Sequence, residues 1–329
     1  MRLHGLAMIR NEADIVESFV RHNLKLLDGL TIIVHRPSDG TREILDALGQ
    51  EGLPLELMPL DELGFYQGQR MSQAARSVFA RHQPDFIFTL DADEFLRPPN
   101  RAVLHDVLGA LPPQRHCITA CYTYAPDPRD DASELEPVKR LRHRHPHDTG
   151  PGKFRKLIIN KSYADDASLV ICHGNHALAS ADPVKDKALA KQLQVKEPLL
   201  SHYPVRSGEQ VLIKTLIGWL AHIVIGEHQI ERSAHWRGFY ERVKDRGVLS
   251  REEIDEVARY YLNDCMADDD EKARFTLSEL IPDPLPVDFE IRYAHLRRRE
   301  PLSCVVNYAE QVALAYFEKS RRPIRPGFA

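Results

Sequence analysis

The sequence predicts an α/β fold: a mostly parallel sheet flanked by helices, followed by a mainly helical C-terminal region. Three observations carry this. Short apolar, β-branched runs alternate with helically spaced apolar residues over the first hundred or so positions. The run Phe86-Ile87-Phe88-Thr89-Leu90 is apolar enough for a strand buried on both faces, and it ends abruptly in Asp91-Ala92-Asp93-Glu94. From Ser207 onward the pattern is helical almost throughout.

Leu3 to Ile9 reads as the first strand. Ala13 to Leu27 reads as a helix, with Ile15, Val16, Phe19, Val20, Leu24 and Leu27 at helical spacing, stopped at Asp28-Gly29 by glycine. Leu30 to His35 is the second strand, and Thr41 to Gln50 the second helix. Leu53 to Leu60 is the third strand, Ser72 to His82 the core of the third helix, and the acidic strand follows. Such alternation implies right-handed crossovers and parallel pairing. Ala102 to Leu111 then reads as helix, His116 to Tyr124 as strand, and Pro126 to Pro151 as a long polar connection. Lys156 to Asn160 and Leu169 to Cys172 are further strands. Helices are expected over 209–226, 234–246, 252–265 and 304–319, and the basic tail from Arg321 to Pro326 is expected to be mobile. A boundary near Pro198 to Ser207 divides the chain into a nucleotide-binding and catalytic domain, 1–205, and a helical extension, 206–329.

A chain of 329 residues is long enough for this arrangement, and 43% hydrophobic with 28% charged residues is ordinary for a soluble globular protein. The formal net charge of -4 argues against a general nucleic-acid binder. Five scattered cysteines without a C-x-x-C pair favour reduced thiols and a cytoplasmic setting. The N-terminal apolar stretch is broken too early, at Arg10-Asn11-Glu12, for a signal peptide. The apolar window from Val211 to Gly226 contains Lys214 and His222 and reads as a buried helix; an interfacial or oligomer-contacting helix is the other reading.

Ligands of open α/β sheets bind beyond the carboxyl ends of the strands, where Asp91 and Asp93 would sit. Two residues apart on extended chain, both can face one ion. Hard oxygen donors suit Mg²⁺ or Mn²⁺ bridging to phosphate oxygens; a solvated acidic loop is the alternative. Asn11 and Glu12 close the first strand, where Asn11 could equally cap the next helix. Asp39 follows the second strand in Ser38-Asp39-Gly40-Thr41, a sequence that also suits a plain tight turn. All three segments fall on one predicted sheet edge.

On these motifs, residues 7–96 resemble the nucleotide-binding half of family 2-like glycosyltransferases of the GT-A fold, in the subgroup with a D-x-D-E-F motif. The resemblance implies that Asn11, Glu12 and Asp39 lie around the base and ribose. It implies that Asp91 and Asp93 hold a divalent cation, Mn²⁺ or Mg²⁺, on the donor diphosphate. Arg76 is similar to a basic residue the family carries on the helix before that strand. His35-Arg36-Pro37 departs from the small or acidic residues usual there. Further on, Ser201 to Gln210 with Lys214 resembles a subgroup pattern, and its physics supports a site: Ser207 and Gln210 form an S-x-x-Q capping box, so His202 and Arg206 precede a helix N-terminus. His202 can complete a metal's coordination, or be an ordinary hydrogen-bonded histidine; Arg206 can pair with phosphate oxygens.

His173 and His176 follow another strand and suit the acceptor or leaving-group side. The basic run from Lys139 to His147, extended by Lys153, Arg155 and Lys156, is a solvated loop or a lid. Arg297-Arg298-Arg299, with Arg292, is a solvated face or a contact for anionic lipid or acceptor phosphate. For a catalytic base, Asp127, Asp130, Asp131 and Asp182 are candidates. The resemblance implies transfer from a nucleoside-diphosphate sugar to a glycan or glycolipid acceptor in bacterial-type surface polysaccharide or glycoconjugate synthesis, with peripheral membrane contact compatible and oligomeric state open. A nucleotidyltransferase lacks its Gly-rich loop here, since Arg10-Asn11-Glu12-Ala13 holds no glycine. A strand-D-x-D phosphatase would place its nucleophile after the first strand. A non-catalytic nucleotide-sugar binding module is the third class, separated by turnover.

Overall fold

The computed structural model describes residues 1–146, 155–180, 182, 184, 186, 193–195, 198–226, 234–263, 279–298 and 300–320. The chain runs β1 (Leu3–Ile9), α1 (Val16–Asn23), β2 (Gly29–His35), α2 (Thr41–Gln50), β3 (Leu55–Leu60), α3 (Gln67–His82), β4 (Phe86–Leu90) and β5 (Glu94–Leu96). It continues α4 (Arg101–Gly109), β6 (Cys117–Thr123), α5 (Pro137–Arg140), β7 (His143–Arg144), β8 (Arg155–Asn160), β9 (Leu169–Ile171), β10 (Leu178–Ser180), β11 (Leu193–Gln194) and β12 (Leu200–His202). Then come α6 (Gly208–Ile225), α7 (Ala234–Arg246), α8 (Arg251–Asn263), β13 (Ile281–Pro282) and α9 (Pro301–Ser320).

The main sheet has the order β3-β2-β1-β4-β8-β6-β12-β5, with β11 also on β6. β3, β2, β1 and β4 are parallel, β8 runs antiparallel between β4 and β6, and β5 closes the edge antiparallel to β12. This is the expected class, a mostly parallel sheet flanked by helices with a mainly helical C-terminal region. Alternation along β1 feeds two cores: Leu3, Ala7 and Ile9 pack on the α1 and α2 side, Leu6 and Met8 on the α3 side.

Two local expectations change. Gly29 does not cap a helix: α1 ends at Asn23, and Gly29 lies in β2 with the His4 ring 2.7 Å from where a Cβ would stand. The polar connection after Tyr124 is not structureless. It forms α5 and β7; β7 pairs with β13, and Asp283 next to β13 binds Arg144 of β7 and also Arg97. The Arg321 to Pro326 tail, Cys265 and Lys153 lie outside the described residues.

Register sets the site. In β12, His202 pairs with Glu94 of β5 and Thr123 of β6, and the Tyr203 N–H donates to the Asp93 carbonyl at 2.8 Å. Phe95 is fully buried between Phe19, His22 and Tyr203, so the acidic turn is anchored by an aromatic plug. α6 is long and apolar enough by length and composition to cross a membrane, with mean hydropathy 1.3. It is instead packed into two cores, Val211 on α7 and α8, and Ile213, Ile217 and Ala221 on α9.

Candidate active site

A cavity of about 400 Å³ opens at the carboxyl ends of β1 and β4 and is walled on the other side by α6. Asn11, Glu12, Asp91, Asp93 and Glu94 line it from the sheet; His202 and Lys214 line it from the second half of the chain. His173 and His176 line it too, from the turn after β9.

Asp93 is 2% exposed. Lys214 Nζ lies 3.3 Å from its Oδ2, Arg206 Nη1 3.6 Å from the same oxygen, and His202 Nε2 3.6 Å from Oδ1. Burial alone would raise this carboxyl; Lys214, His202, Arg206 and Lys156 outweigh it and hold it well below the usual carboxylate range. Burial lowers His202 to about 4, against the pull of Asp93, so it is neutral at pH 7 and able to ligate.

Asp91 is more open, its side chain 34% exposed. Lys156 Nζ binds it and also lies 3.2 Å from Glu94. Gln67 and Asn175 donate to Asp91 Oδ1 at 3.3 and 3.1 Å. Glu94 in turn accepts the Asp91 N–H at 2.9 Å, closing the turn. Burial pushes Glu94 up to about 8 although Lys156 opposes it. Burial likewise pushes Glu12 up to about 7, against Arg206 and Lys214.

Five acidic side chains, Glu12, Asp14, Asp91, Asp93 and Glu94, cluster around Arg206, Lys156 and Lys214. Asp93 Oδ1 is buried and makes no hydrogen bond among the described residues. The unbonded Asp93 oxygen fits a divalent cation on Asp91 and Asp93. Among the described residues no three His, Cys, Asp or Glu side chains converge as a ready cage.

Several residues fall elsewhere than the sequence suggested. Arg206 is 2% exposed, and its guanidinium is taken up by Glu12, Asp14 (2.7 and 3.0 Å) and the Tyr203 carbonyl (3.0 Å). It stands behind the pocket wall, whereas Lys214 lines the cavity together with Arg10 and Lys156. Ser207 caps α6 through the Gln210 N–H at 3.2 Å, but Gln210 Oε1 accepts from the Arg206 N–H at 3.1 Å, fixing Arg206 rather than the cap residue. Asn11 is not a helix cap: its Oδ1 accepts the Ser38 N–H at 2.7 Å, from a left-handed backbone at φ 54.

Asp39 does not line the cavity. It is 5% exposed, and its carboxylate accepts from Ala13 N–H at 2.9 Å and from Thr41 N–H and Oγ1 at 3.0 and 2.6 Å. Its carbonyl accepts the Arg298 N–H at 2.7 Å, so residues 296–298 lie over the turn. Arg76 is turned the other way, donating to the Tyr163 and Leu169 carbonyls at 3.1 and 2.6 Å and stacking on Tyr163. Asp182 is exposed, outside the cavity lining, with Oδ1 accepting the Val184 N–H at 2.9 Å. Asp127 pairs with Arg129, Asp130 faces His143, and Asp131 closes a turn on Ser133.

Sequence reasoning missed the weight of Lys156, which it placed on a basic surface; the residue is 2% exposed. The signal was its place two residues before buried Ile158 in an apolar strand. Asp14, Phe65, His222 and Tyr261 also belong to the site or its wall and carry no local motif.

No family model matches the chain, and no curated protein does. Solved structures with similar chain traces include TarS (residues 1–349) of S. aureus, at 10% identity and a TM-score of 0.35, covering 85% of this chain and 77% of that one. A mannosyltransferase, PcManGT of Pyrobaculum calidifontis, in complex with GDP-Man and Mn²⁺, matches at 13% identity and a TM-score of 0.36, over 98% and 88%. A glucosyl-3-phosphoglycerate synthase of Mycobacterium tuberculosis, with Mn²⁺, UDP and phosphoglyceric acid, matches at 11% and 0.28, over 49% and 56%. Likenesses this faint say nothing about what this chain does.

Proposed function

We propose that this chain is a metal-dependent glycosyltransferase that takes a sugar from a nucleoside-diphosphate donor and passes it to a hydroxyl of a glycan or glycolipid. One observation carries the reading: Asp91 and Asp93, at the carboxyl end of β4, share a single cavity with His202 and Lys214, brought from far along the chain. Residues 1–205 would supply the donor-binding sheet, and 206–329 the wall that closes it.

Asp91 and Asp93 would hold Mg²⁺ or Mn²⁺, with His202 beside Asp93, and the ion when bound would neutralise the leaving diphosphate. Lys214 faces the same space and supplies a preorganised positive charge to the departing phosphate. Arg206 acts one step back, keeping Glu12 and Asp93 in place. Asn11 and Glu12 close the nucleoside end of the cavity. His173 and His176 line the same cavity from the turn whose Asn175 bonds Asp91, and would serve the acceptor or leaving-group side. A cytoplasmic setting and a role in surface glycoconjugate synthesis accord with the motif resemblance.

The test is a panel of nucleoside-diphosphate sugars with Mn²⁺ or Mg²⁺, scored by thermal shift and by slow donor hydrolysis. A metal-dependent rise in melting temperature with release of free sugar is expected from at least one donor. Stabilisation without turnover would favour a binding module. Formation of a nucleotide-sugar from triphosphate and sugar phosphate would favour nucleotidyl transfer.

A further inference from the structure

The turn that the motif resemblance assigns to the nucleoside is sealed by the chain itself. Asp39 is buried, bonds inward to Ala13 and Thr41, and is overlaid by residues 296–298. That cover is pinned by buried acids. Glu17 accepts the Arg292 and Tyr293 N–H groups at 2.9 Å each, and Glu136 pairs with Arg297 at 2.8 Å. Arg299 lies outside the described residues. A base whose diphosphate sits at Asp91 and Asp93 is then read by another residue.

Arg10 lies where that residue should be. It follows β1, which stands between β2 and β4 in the sheet, so it borders the acidic turn on the β2 side and lines the same cavity. Its guanidinium is fixed by the His35 carbonyl, 3.0 Å from Nε, and the Leu63 carbonyl, 3.3 Å from Nη2, beneath the Tyr308 ring at 5.2 Å. His35 Nε2 also meets Nη2. Among the described residues no carboxylate pairs with Arg10, and burial lowers it to about 10 although Tyr308 opposes. Lys156 and Lys214 differ: each has a carboxylate of its own, Asp91 with Glu94 for the first and Asp93 for the second. A buried guanidinium with no counter-charge favours an electron-rich ligand.

The wall beside it suits a flat ring better than a second phosphate. Phe65 stacks on His35 with ring centroids 6.0 Å apart and planes at 21°, and meets His173 and His222 edge-on at 5.6 and 6.4 Å. Asn11 Oδ1 is occupied by the Ser38 N–H, which leaves its amide N–H groups as what it offers. Glu12, the acid on this side, is taken up by Arg206. Resting on the transferase reading, we propose that Arg10, not Asp39, selects the nucleobase: it donates to the keto oxygen of uracil or guanine while the ring lies against Phe65. Cytosine and adenine carry an amino group at the corresponding position, so donor would face donor. Stacking on Phe65 adds affinity for any base, and Arg10 adds the discrimination.

The experiment is titration calorimetry of the full chain with UDP, GDP, CDP and ADP, each with Mn²⁺. UDP is expected to bind about tenfold or more tightly than CDP, or GDP than ADP, a ratio of the size one charged hydrogen bond supplies. Arg10→Gln should abolish most of that ratio, and Asp39→Asn should leave it intact. The ratio is the readout because Arg10 also ties His35 to Leu63: a merely structural loss would weaken all four nucleotides alike. CDP or ADP binding as tightly as its keto counterpart in the parent protein would overturn the proposal without any variant. A preference unmoved by Arg10→Gln would do the same, and one lost in Asp39→Asn would return base reading to Asp39. Binding of none of the four would overturn the transferase reading with it, whereas binding without discrimination overturns the role of Arg10 alone.

Discussion

The carboxyl edge of the sheet carries two acidic turns, and their fates differ. Both follow a buried parallel strand. The turn after β4 remains open to the cavity, and its acids meet Lys156, Lys214 and His202. The turn after β2 is covered. Asp39 bonds inward to Ala13 and Thr41, while Leu296 sits so close that a Cβ on Gly40 would fall 2.0 Å from its carbonyl oxygen. Cys304 of α9 also reaches the Ser38 carbonyl. A strand's carboxyl end is therefore an opportunity for a site, and the remote chain that packs over it decides whether the opportunity stays open.

The contrast can be broken first at Arg206. Arg206→Ala leaves Glu12, Asp14 and Asp93 without a shared buried cation, an expected loss of about 3–5 kcal/mol. At roughly 2–4 °C per kcal/mol for a chain of this size, the melting temperature should fall by about 6 °C or more. An unchanged melting curve would mean the network does not hold the open edge together.

Asp93→Asn should remove the chemistry and also lower the melting temperature, because the buried carboxylate is held by Lys214, Arg206 and His202. Losing the ligand charge is expected to cut turnover about 10²-fold or more, comparable to deleting a preorganised electrostatic group. Full turnover in metal-free buffer would refute the role given to the open turn.

Gly40→Ala attacks the covered turn. Gly40 has φ 96, and a side chain there costs about 1–2 kcal/mol before any clash. The clash with Leu296 adds to this and should loosen residues 296–298, read as faster amide exchange at Arg298. Donor affinity should change little, because the covered turn does not line the cavity. A large drop in donor affinity with normal stability would return Asp39 to the nucleotide site.

The smallest expected effect is on pH. Burial lowers His4 and His22 to about 4 and His35 to about 3, from an ordinary value near 6.5. Between those values the unfolded chain binds more protons than the folded one, so stability rises with pH and is lost as pH falls from 6.5 toward 4. Glu12 and Glu94 act oppositely in the metal-free protein. Their raised values make the folded chain bind more protons between about 4.5 and 8, so stability should decline gently as pH rises through 7 and 8. Melting temperature against pH should show both limbs, and added divalent cation should flatten the upper one. Protonation of His4, His22 or His35 near 6.5 in the folded protein, read by NMR titration, would contradict the buried neutral histidines.

Strand and helix order was legible because periodicity is local. Thr41–Gln50 and Ala234–Arg246 form over the expected residues, and β1 spans the whole of Leu3–Ile9. The acids after β4 were legible because an apolar run ending in carboxylates has few other uses. The burial of Lys156 was not, since a lysine beginning a strand is usually solvated.

The sequence by itself determined the order of elements, the parallel half of the sheet and the acidic edge, since each depends on neighbours within a few residues along the chain. Only the tertiary structure decided which edge stays open, and that Lys214, not Arg206, faces the cavity. Those outcomes rest on pairings such as Arg206 with Glu12, 194 residues apart, and Arg298 with Asp39. No local pattern encodes such partners. They are selected when buried charges and backbone donors, far apart in sequence, must all be satisfied in one packed arrangement.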